Sequence, residues 1–282
     1  MTQAQLWDRV ETVEIEGLQI AYRRTGDGPA LVLLHGGPTD SREFHYQLEG
    51  LSDEFTVVAW DRPGCGRSSD PPESFRIPDY VRIFFAFLQA LGIEQPHVLG
   101  LSFGSGYALE LYRAHPVIPQ SLILASAYAG WAGSLPPDVV EQRKQGLLQR
   151  IEQPDVWVHE WLPTLLTDAA PRELVEEVSA ILADYHPGAQ RALLSSGFAE
   201  QDLRDVLPTV TVPTLLLYGD KDVRSPLNVA QEMHASIPGS QLVIMPGAPH
   251  LSDMEAPDRF NAEVRSFLHS IGGSAESRVL GR

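Results

Sequence analysis

The stretch of sequence that decides the fold reads Pro96-His97-Val98-Leu99-Gly100-Leu101-Ser102-Phe103-Gly104-Ser105-Gly106. Residues 97–99 form a short apolar run that predicts a strand, and residues 107–114 predict a helix. Between them lies a Gly-x-Ser-x-Gly turn with Ser102 at its apex. Side chains at positions 100 and 104 would collide with the neighbouring strand and helix, so glycine is needed at both. The pattern predicts a serine hydroxyl raised above a strand end, beside the free N–H groups that begin a helix.

Short buried strands alternate with helices on both sides of this turn. Runs typical of buried strands occupy residues 30–34, 55–60, 121–125, 214–218 and 241–245. A hairpin is predicted over residues 13–22, where apolar and polar residues alternate around Glu16-Gly17. Strands that alternate with helices at this spacing predict an α/β fold with a parallel sheet covered by helices on both faces.

The alternation stops between residues 130 and 207, where no buried strand is predicted. Four helical patterns follow one another there, over residues 139–151, 156–166, 172–185 and 188–198. The sequence therefore predicts a core in two parts, residues 1–129 and 208–271, that is split by a helical cap over residues 130–207. Residues 272–282 are rich in glycine and serine and are expected to form a flexible tail.

The composition limits the classes of function. The chain has 282 residues and a formal net charge of −16, which argues against nucleic acid as a partner because phosphates need a basic face. The single cysteine, Cys65, excludes an intramolecular disulfide and a zinc site built on cysteines. No secretion signal and no run of 18 apolar residues is found, so a cytoplasmic protein without a membrane span is expected.

A serine hydroxyl becomes a nucleophile only when a base removes its proton and an acid orients that base. His250 is the best candidate base, because it follows a predicted strand on a loop at the same edge of the sheet as Ser102. Asp220 and Asp222 both follow the preceding strand. We favour Asp222 as the acid, since Asp220 comes directly after the strand and is typical of a turn residue.

The negative charge that develops on a substrate carbonyl needs N–H donors already in place. The backbone N–H of Phe103, directly after the serine, is one candidate. The second is expected from the loop His35-Gly36-Gly37-Pro38, where glycine allows the backbone to approach a substrate, and Gly37 is the preferred residue.

With these residues placed, the chain resembles the α/β-hydrolase superfamily from about residue 11 to residue 268. The resemblance rests on five stretches: His35-Gly36-Gly37-Pro38, Asp61-Arg62-Pro63-Gly64-Cys65-Gly66-Arg67-Ser68, Gly100-Leu101-Ser102-Phe103-Gly104, Gly219-Asp220-Lys221-Asp222 and Gly247-Ala248-Pro249-His250. It implies an eight-stranded, mostly parallel sheet with a helical cap, and the triad Ser102, Asp222 and His250. One departure is Pro249, which stands where many relatives have glycine.

Within the superfamily several activities are open. Ser102 argues against epoxide hydrolases and haloalkane dehalogenases, which carry aspartate in its place. Prolyl aminopeptidases resemble the chain in the stretches 35–38 and 61–68, but usually have tryptophan where Phe103 stands. Esterases and lactonases fit the turn around Ser102. Some members keep the triad and act as small-molecule receptors with little turnover.

The sequence thus predicts a serine hydrolase that acts on small carboxylic esters or lactones and needs neither cofactor nor metal. A prolyl-aminopeptidase-like amide hydrolase and a small-molecule receptor remain the alternatives. The expected assembly is a monomer or homodimer. The aromatic residues expected to bind substrate from the cap are Trp131, Trp157, Trp161 and Phe198.

Overall fold

The computed structural model describes residues 8–37, 39–184 and 186–279, and eight strands in this part of the chain form one sheet. The strand order is β1-β2-β4-β3-β5-β6-β7-β8. The pairs β1–β2 and β2–β4 are antiparallel, and the other five pairs are parallel. The strands are β1 (Val10–Ile15), β2 (Leu18–Thr25), β3 (Ala30–Leu34), β4 (Thr56–Trp60), β5 (His97–Leu101), β6 (Ser121–Ala125), β7 (Thr214–Gly219) and β8 (Gln241–Met245). The mostly parallel, eight-stranded sheet predicted from the sequence is confirmed.

Eleven helices accompany the sheet in the described residues. They are α1 (His45–Gly50), α2 (Ile77–Ala90), α3 (Phe103–Ala114), α4 (Trp131–Ser134), α5 (Pro137–Glu152), α6 (Pro154–Leu165), α7 (Arg172–Ala183), α8 (Pro187–Ser195), α9 (Leu227–Ser236), α10 (Ser252–Glu255) and α11 (Pro257–Val279). The described residues also contain two short 3₁₀ turns, Ser41–Phe44 and Leu207–Thr209. Residues 39–51, which have helical spacing, therefore form a 3₁₀ turn followed by α1.

The core consists of two apolar layers, one on each face of the sheet. Val32 and Val58 pack with Phe84 of α2 in one layer, whereas Leu31 and Phe260 of α11 belong to the other. Neighbouring residues of β3 enter different layers because successive side chains of a strand point to opposite faces. A strand buried on both faces is apolar throughout, which is why the central strands were recognisable as continuous apolar runs.

Helices α4 to α8 lie between β6 and β7 in the chain, at the position predicted for the helical insertion. Leu193 and Phe198 pack into the layer that contains α2, and Trp157 and Val178 pack into the layer that contains α11. The insertion is therefore anchored to the core on both sides of the sheet.

The flexible tail expected over residues 272–282 stays a prediction. The backbone of α11 remains helical as far as Val279, and residues 280–282 lie outside the described residues. Glycine in a helix interior costs about 1 kcal/mol relative to alanine but does not forbid the helix, so Gly272 does not end α11. Similarly, α7 ends at Ala183, and position 185, where the predicted helix ended, lies outside the described part.

Candidate active site

Ser102 stands at the apex of a tight turn between β5 and α3. Its backbone has φ 51° and ψ −112°, a region that residues with a side chain rarely adopt. The N–H of Ser102 donates to the carbonyl of Ala125 in β6 (2.8 Å), which holds the turn against the sheet. A Cβ at Gly104 would lie 2.0 Å from the carbonyl oxygen of Leu34, and one at Gly100 would lie 2.5 Å from that of Gly104. The glycines are therefore required by the close approach of strand and helix.

His250 lies on the loop after β8 and reaches the serine across the sheet edge. Its Nε2 is 2.9 Å from Ser102 Oγ, and its Nδ1 lies 3.0 Å and 2.9 Å from the two carboxylate oxygens of Asp222. The hydroxyl of Ser126 donates to the carbonyl of His250 (3.0 Å) and fixes the loop. A hydroxyl, an imidazole and a carboxylate thus form one hydrogen-bonded chain in the order that proton transfer from a serine requires.

Asp222 and Asp220 occupy different surroundings, although they are two residues apart. Asp222 is buried, and its Oδ1 also accepts the backbone N–H groups of Arg224 and Ser225, both at 2.8 Å. Asp220 is exposed and accepts the N–H of Gly247 at 2.7 Å. These contacts place Asp222, and not Asp220, against His250, and Asp220 ties the loop after β8 to the turn after β7.

Burial and charge set the protonation of the histidine and its carboxylate. Burial lowers the pKa of His250 below its usual value, and the guanidiniums of Arg224 and Arg143 add to that effect, whereas Asp222 opposes it. Burial acts to raise the pKa of Asp222, but the His250 charge and the hydrogen bonds it accepts outweigh burial, so this pKa is lowered. The resting pair is therefore a neutral imidazole beside a carboxylate, and the imidazole can accept a proton.

Gly37 and Phe103 both line the cavity above Ser102. In the described residues no other group accepts the backbone N–H of either residue. The neighbouring N–H of Gly36 is already used, because it donates to Glu43 Oε2 at 2.9 Å. The two free amides are the ones that the sequence suggested as donors to a developing oxyanion.

Two buried charged side chains hold this loop, and sequence reasoning missed both. Glu43 accepts the Gly36 N–H and the Thr39 hydroxyl, and burial raises the pKa of its carboxyl to about 7. On the other side, Arg62 Nη2 donates to the carbonyl of Gly37 (3.1 Å), and its guanidinium lies 5.2 Å from the centre of the Phe103 ring. Arg62 belongs to a stretch recognised in the sequence, but nothing there signals this contact, and no local pattern marks Glu43.

The cavity at Ser102 has about 550 Å³ of empty space, including its opening to solvent. Its walls are largely apolar and come from both the core and the insertion, and the apolar members are Leu101, Phe103, Trp131, Leu147, Trp161, Leu165, Leu193, Phe198 and Leu251. A concave apolar site with a few polar groups is typical of small-molecule binding. The geometry is suited to holding a small, largely apolar molecule against the Ser102 hydroxyl.

Three of the four predicted substrate-binding residues line this cavity, namely Trp131, Trp161 and Phe198. The fourth, Trp157, is not among the lining residues, because that side chain is fully buried below the cavity wall. Its ring packs on Trp161, with 4.3 Å between centroids, and the guanidinium of Arg150 covers it at 4.4 Å. Both tryptophans lie on one face of α6, four residues apart, and only the crossing of α6 over the core separates a wall residue from a packing residue.

Two arginines also line the cavity, Arg143 of α5 and Arg224 of the loop after β7. No sequence pattern pointed to Arg143, and the only signal for Arg224 was its closeness to Asp222. Across the described stretches, no group of three or more histidine, cysteine, aspartate or glutamate residues is arranged to hold a metal ion. None of the helices in the described part of the chain is both long and apolar enough to cross a membrane.

Comparisons with known proteins agree on one protein family. The family model described as "Alpha/beta hydrolase family" matches residues 31–263. A proline iminopeptidase of Lactobacillus acidophilus is 26% identical over 89% of this chain and 93% of its own length. A thermophilic esterase of Thermogutta terrifontis has TM-score 0.84 and 27% identity over 93% of this chain and 99% of the esterase. An enol-lactonase of Burkholderia xenovorans shares the fold, with TM-score 0.82 and 22% identity over 92% of this chain and all of that one.

The family model covers the part of the chain that carries β3 to β8, the turn at Ser102 and the loop of His250. The sheet order and the position of the insertion come from the same residues. Sequence, architecture and comparisons therefore lead to one conclusion, that the chain belongs to the alpha/beta hydrolase family.

Proposed function

We propose that the protein hydrolyses carboxylic esters or lactones through an acyl-enzyme formed on Ser102. The observation that carries the proposal is the hydrogen-bonded chain from Ser102 Oγ through His250 to Asp222, which ends at a largely apolar cavity. The hydroxyl of Ser102 lies within hydrogen-bond distance of a neutral, buried imidazole, and that arrangement activates a serine nucleophile.

In the proposed first half-reaction, Ser102 Oγ attacks the carbonyl carbon while His250 Nε2 takes the hydroxyl proton. The N–H groups of Gly37 and Phe103 donate to the resulting oxyanion. Asp222 keeps the Nδ1 proton in place and stabilises the imidazolium. His250 then gives its proton to the leaving alkoxide, so the C–O bond breaks and the alcohol departs; in a lactone, the alcohol remains attached to the acyl group.

In the second half-reaction, water attacks the acyl-enzyme carbonyl and gives a proton to His250. The bond to Ser102 Oγ breaks, the proton returns to that oxygen, and the carboxylic acid is released. The enzyme is restored without net loss of protons or electrons. The same residues thus act in both halves, with His250 as base and then as acid.

A prolyl-aminopeptidase-like activity is the second candidate, because the relative in Lactobacillus acidophilus is a proline iminopeptidase. Such a substrate carries an ammonium group, which needs carboxylates near the cavity. Among the described residues, no glutamate of the insertion lines the cavity, although Glu160 lines the adjoining groove. The one carboxyl group among the described lining residues, Glu43, is engaged by Gly36 and Thr39. Two guanidiniums line it instead, and these repel an ammonium group. The third candidate, a receptor, would bind a small molecule with little turnover.

The deciding experiment labels the wild-type protein with a fluorophosphonate and locates the adduct by mass spectrometry. We expect one adduct, on Ser102, and none on the Ser102→Ala variant. Hydrolysis of p-nitrophenyl butyrate should fall at least about 10⁴-fold in that variant, because the nucleophile is lost. The N–H donors to the oxyanion remain and account for any residual rate. An adduct on another residue would rule out the mechanism. Labelling without ester turnover would favour the receptor, and a higher kcat/KM for proline p-nitroanilide than for the ester would favour the aminopeptidase.

A further inference from the structure

Two arginines lie at the boundary between the Ser102 cavity and the protein surface. Arg143, Trp161 and Arg224 line that cavity, and the same three residues also line a wide groove that opens on the outside of the insertion. Both guanidiniums help to depress the pKa of His250, which shows that their charges reach the reacting groups. A molecule that passes from the groove to Ser102 meets both arginines.

The partners of these arginines are all neutral. Arg143 donates to the Tyr128 hydroxyl at 3.0 Å and to the carbonyl of Arg224 at 2.7 Å. Arg224 donates to the Thr164 hydroxyl at 3.2 Å, and its guanidinium lies 3.9 Å from the centre of the Trp161 ring. Neither forms an ion pair with any carboxylate in the ranges that the structure describes. Aromatic rings, hydroxyl groups and one backbone carbonyl hold the two side chains in place, and the nearby carboxylate of Asp222 offsets only part of the charge on Arg224.

The chain has 37 acidic and 21 basic residues, so carboxylates outnumber cations. Seven arginines elsewhere in the described residues have a carboxylate partner, namely Arg42, Arg82, Arg113, Arg172, Arg204, Arg259 and Arg265, whereas buried Arg23 and Arg62 donate to neutral groups. At the cavity, burial and the nearby charge of Arg143 lower the pKa of Arg224 to about 10, and only part of this is offset by Tyr128 and Asp222. In the empty site, it is unfavourable to hold two positive charges close together and partly out of water. A bound anion would offset this repulsion.

We propose that Arg143 and Arg224 form a binding site for a carboxylate group of the substrate, so that the preferred ester or lactone is itself an anion. The inference rests on the proposed function of Ser102. Guanidinium groups suit carboxylates because each can donate two N–H groups to the two oxygens. The remaining walls are apolar, so the part of the substrate between the carboxylate and the reacting carbonyl is expected to be hydrocarbon.

The experiment compares esters that differ only in one charge. One pair is mono-p-nitrophenyl suberate and its methyl ester, in which the charge lies on the acyl side. The other pair is 4-carboxyphenyl butyrate and its methyl ester, in which the charge lies on the leaving group. We expect the wild type to prefer the anion in at least one pair, by about tenfold or more in kcat/KM, as charge-assisted hydrogen bonds provide.

The preference should depend on Arg143 and Arg224 and not on an arginine of the insertion that lies away from the cavity. Arg143→Gln and Arg224→Gln should each lower the anion-to-methyl-ester ratio about tenfold or more. Arg172→Gln is the matched control, because Arg172 is an exposed arginine of the insertion, paired with Glu176. Its variant should keep the wild-type ratio. Both substrates of a pair are measured on the same preparation of each variant. A general loss of activity therefore lowers both kcat/KM values equally and leaves their ratio unchanged.

A second measurement needs no variant. Suberate should inhibit the hydrolysis of p-nitrophenyl butyrate competitively, and dimethyl suberate, tested for inhibition at the same concentration, should inhibit much less. The proposal would be overturned if the wild type preferred the methyl ester in both pairs. It would also be overturned if the ratio were unchanged in both arginine variants, or if a phosphomonoester inhibited more strongly than suberate. If no ester is hydrolysed and Ser102 is not labelled, the proposed function itself has failed.

Discussion

At the scale of single residues, two aspartates near the end of β7 divide structural and chemical roles between them. Asp222 is buried and contacts both His250 and the backbone of its own turn, whereas Asp220 joins two loops at the surface. On the proposed mechanism, only Asp222 selects the tautomer of His250 that leaves Nε2 free to accept a proton. Substitutions at the two positions should therefore have very different effects on the rate.

Asp222→Asn should lower kcat by about 10³- to 10⁴-fold, because an amide that donates to Nδ1 stabilises the wrong tautomer. Asp220→Asn keeps an acceptor for the Gly247 N–H and should change kcat by less than about tenfold. The measurement is steady-state hydrolysis of p-nitrophenyl butyrate by both variants, with thermal unfolding as a check on folding. A larger loss in the Asp220 variant would contradict the assigned roles.

Those residues of this site that belong to a recognisable local sequence pattern could be predicted from the sequence. Ser102 is marked by its glycines, and His250 and Asp222 follow strands whose carboxyl ends must share one edge of a parallel sheet. Arg143 carries no such mark, because it sits on a helix where an exposed arginine is ordinary. The role that we propose for it rests on the lack of a carboxylate partner among the described residues, and only the tertiary structure shows that lack.

At the scale of elements, the turn between β5 and α3 is tightly constrained by neighbouring backbone. The carbonyl oxygens of Leu34 and His35 would lie 2.0 Å and 2.9 Å from a Cβ at Gly104, and both belong to backbone that cannot move aside easily. The end of β3 and the start of α3 can touch only because position 104 has no side chain. Neither element can shift without displacing Ser102.

Gly104→Ala should destabilise the protein by about 1–3 kcal/mol, the usual cost of forcing extra volume into a packed site, and should impair ester hydrolysis more than binding. Gly272→Ala is the matched control, since Gly272 is also helical but a Cβ there meets no atom within 4 Å. That variant should gain up to about 1 kcal/mol. Urea unfolding of both variants gives the comparison, and equal stability of the two would show that the turn can relax.

The insertion shows where prediction from helical spacing stops. Periodicity identified α5 to α8, because a repeat of apolar residues at 3.6-residue intervals marks an amphipathic helix. It could not decide that Trp161 forms cavity wall while Trp157 is buried beneath it, since both have the same helical phase. That difference depends on the angle at which α6 crosses the core, and no local pattern encodes it.

At the scale of the whole molecule, several carboxyl groups of this acidic chain are buried in its interior. Burial raises the pKa of Glu43 to about 7, and it also raises the pKa values of Asp61 and Asp253. Both carboxylate oxygens of Asp253 are buried without a hydrogen-bond partner in the described structure. The folded state therefore favours protonated carboxyl groups at these positions, and its stability depends on pH.

The sign of this dependence follows from the raised pKa of Glu43. The unfolded chain loses the proton near the ordinary pKa of about 4.5, while the folded chain holds it to about 7. The stability that this difference contributes is complete below pH 4.5 and is lost as pH rises through 7. Glu43→Gln cannot ionise, so its free energy of unfolding relative to wild type should increase by about 1–3 kcal/mol between pH 5 and pH 8.

Glu49→Gln is the control for that experiment, since Glu49 is an exposed glutamate of the adjacent helix α1. It removes one negative charge in the same region without emptying a buried site. Urea unfolding at pH 5, 6.5 and 8 for the wild type and both variants provides the curves. A Glu43→Gln difference that is the same at all three pH values would mean that this carboxyl is ionised in the folded state as readily as in the unfolded chain.

The long separation between Ser102 and His250 in the sequence also means that the two residues are synthesised at different times. The two residues lie 148 positions apart, and β7 and β8, which bring Asp222 and His250 to the site, are the last strands to be added at one edge of the sheet. At ordinary translation rates, a ribosome needs on the order of ten to thirty seconds to travel from one codon to the other. During that interval the nascent chain carries its serine without a base. On the proposed mechanism, the ability to cleave an ester is acquired only after His250 has been synthesised, so a chain truncated before that residue should not hydrolyse esters.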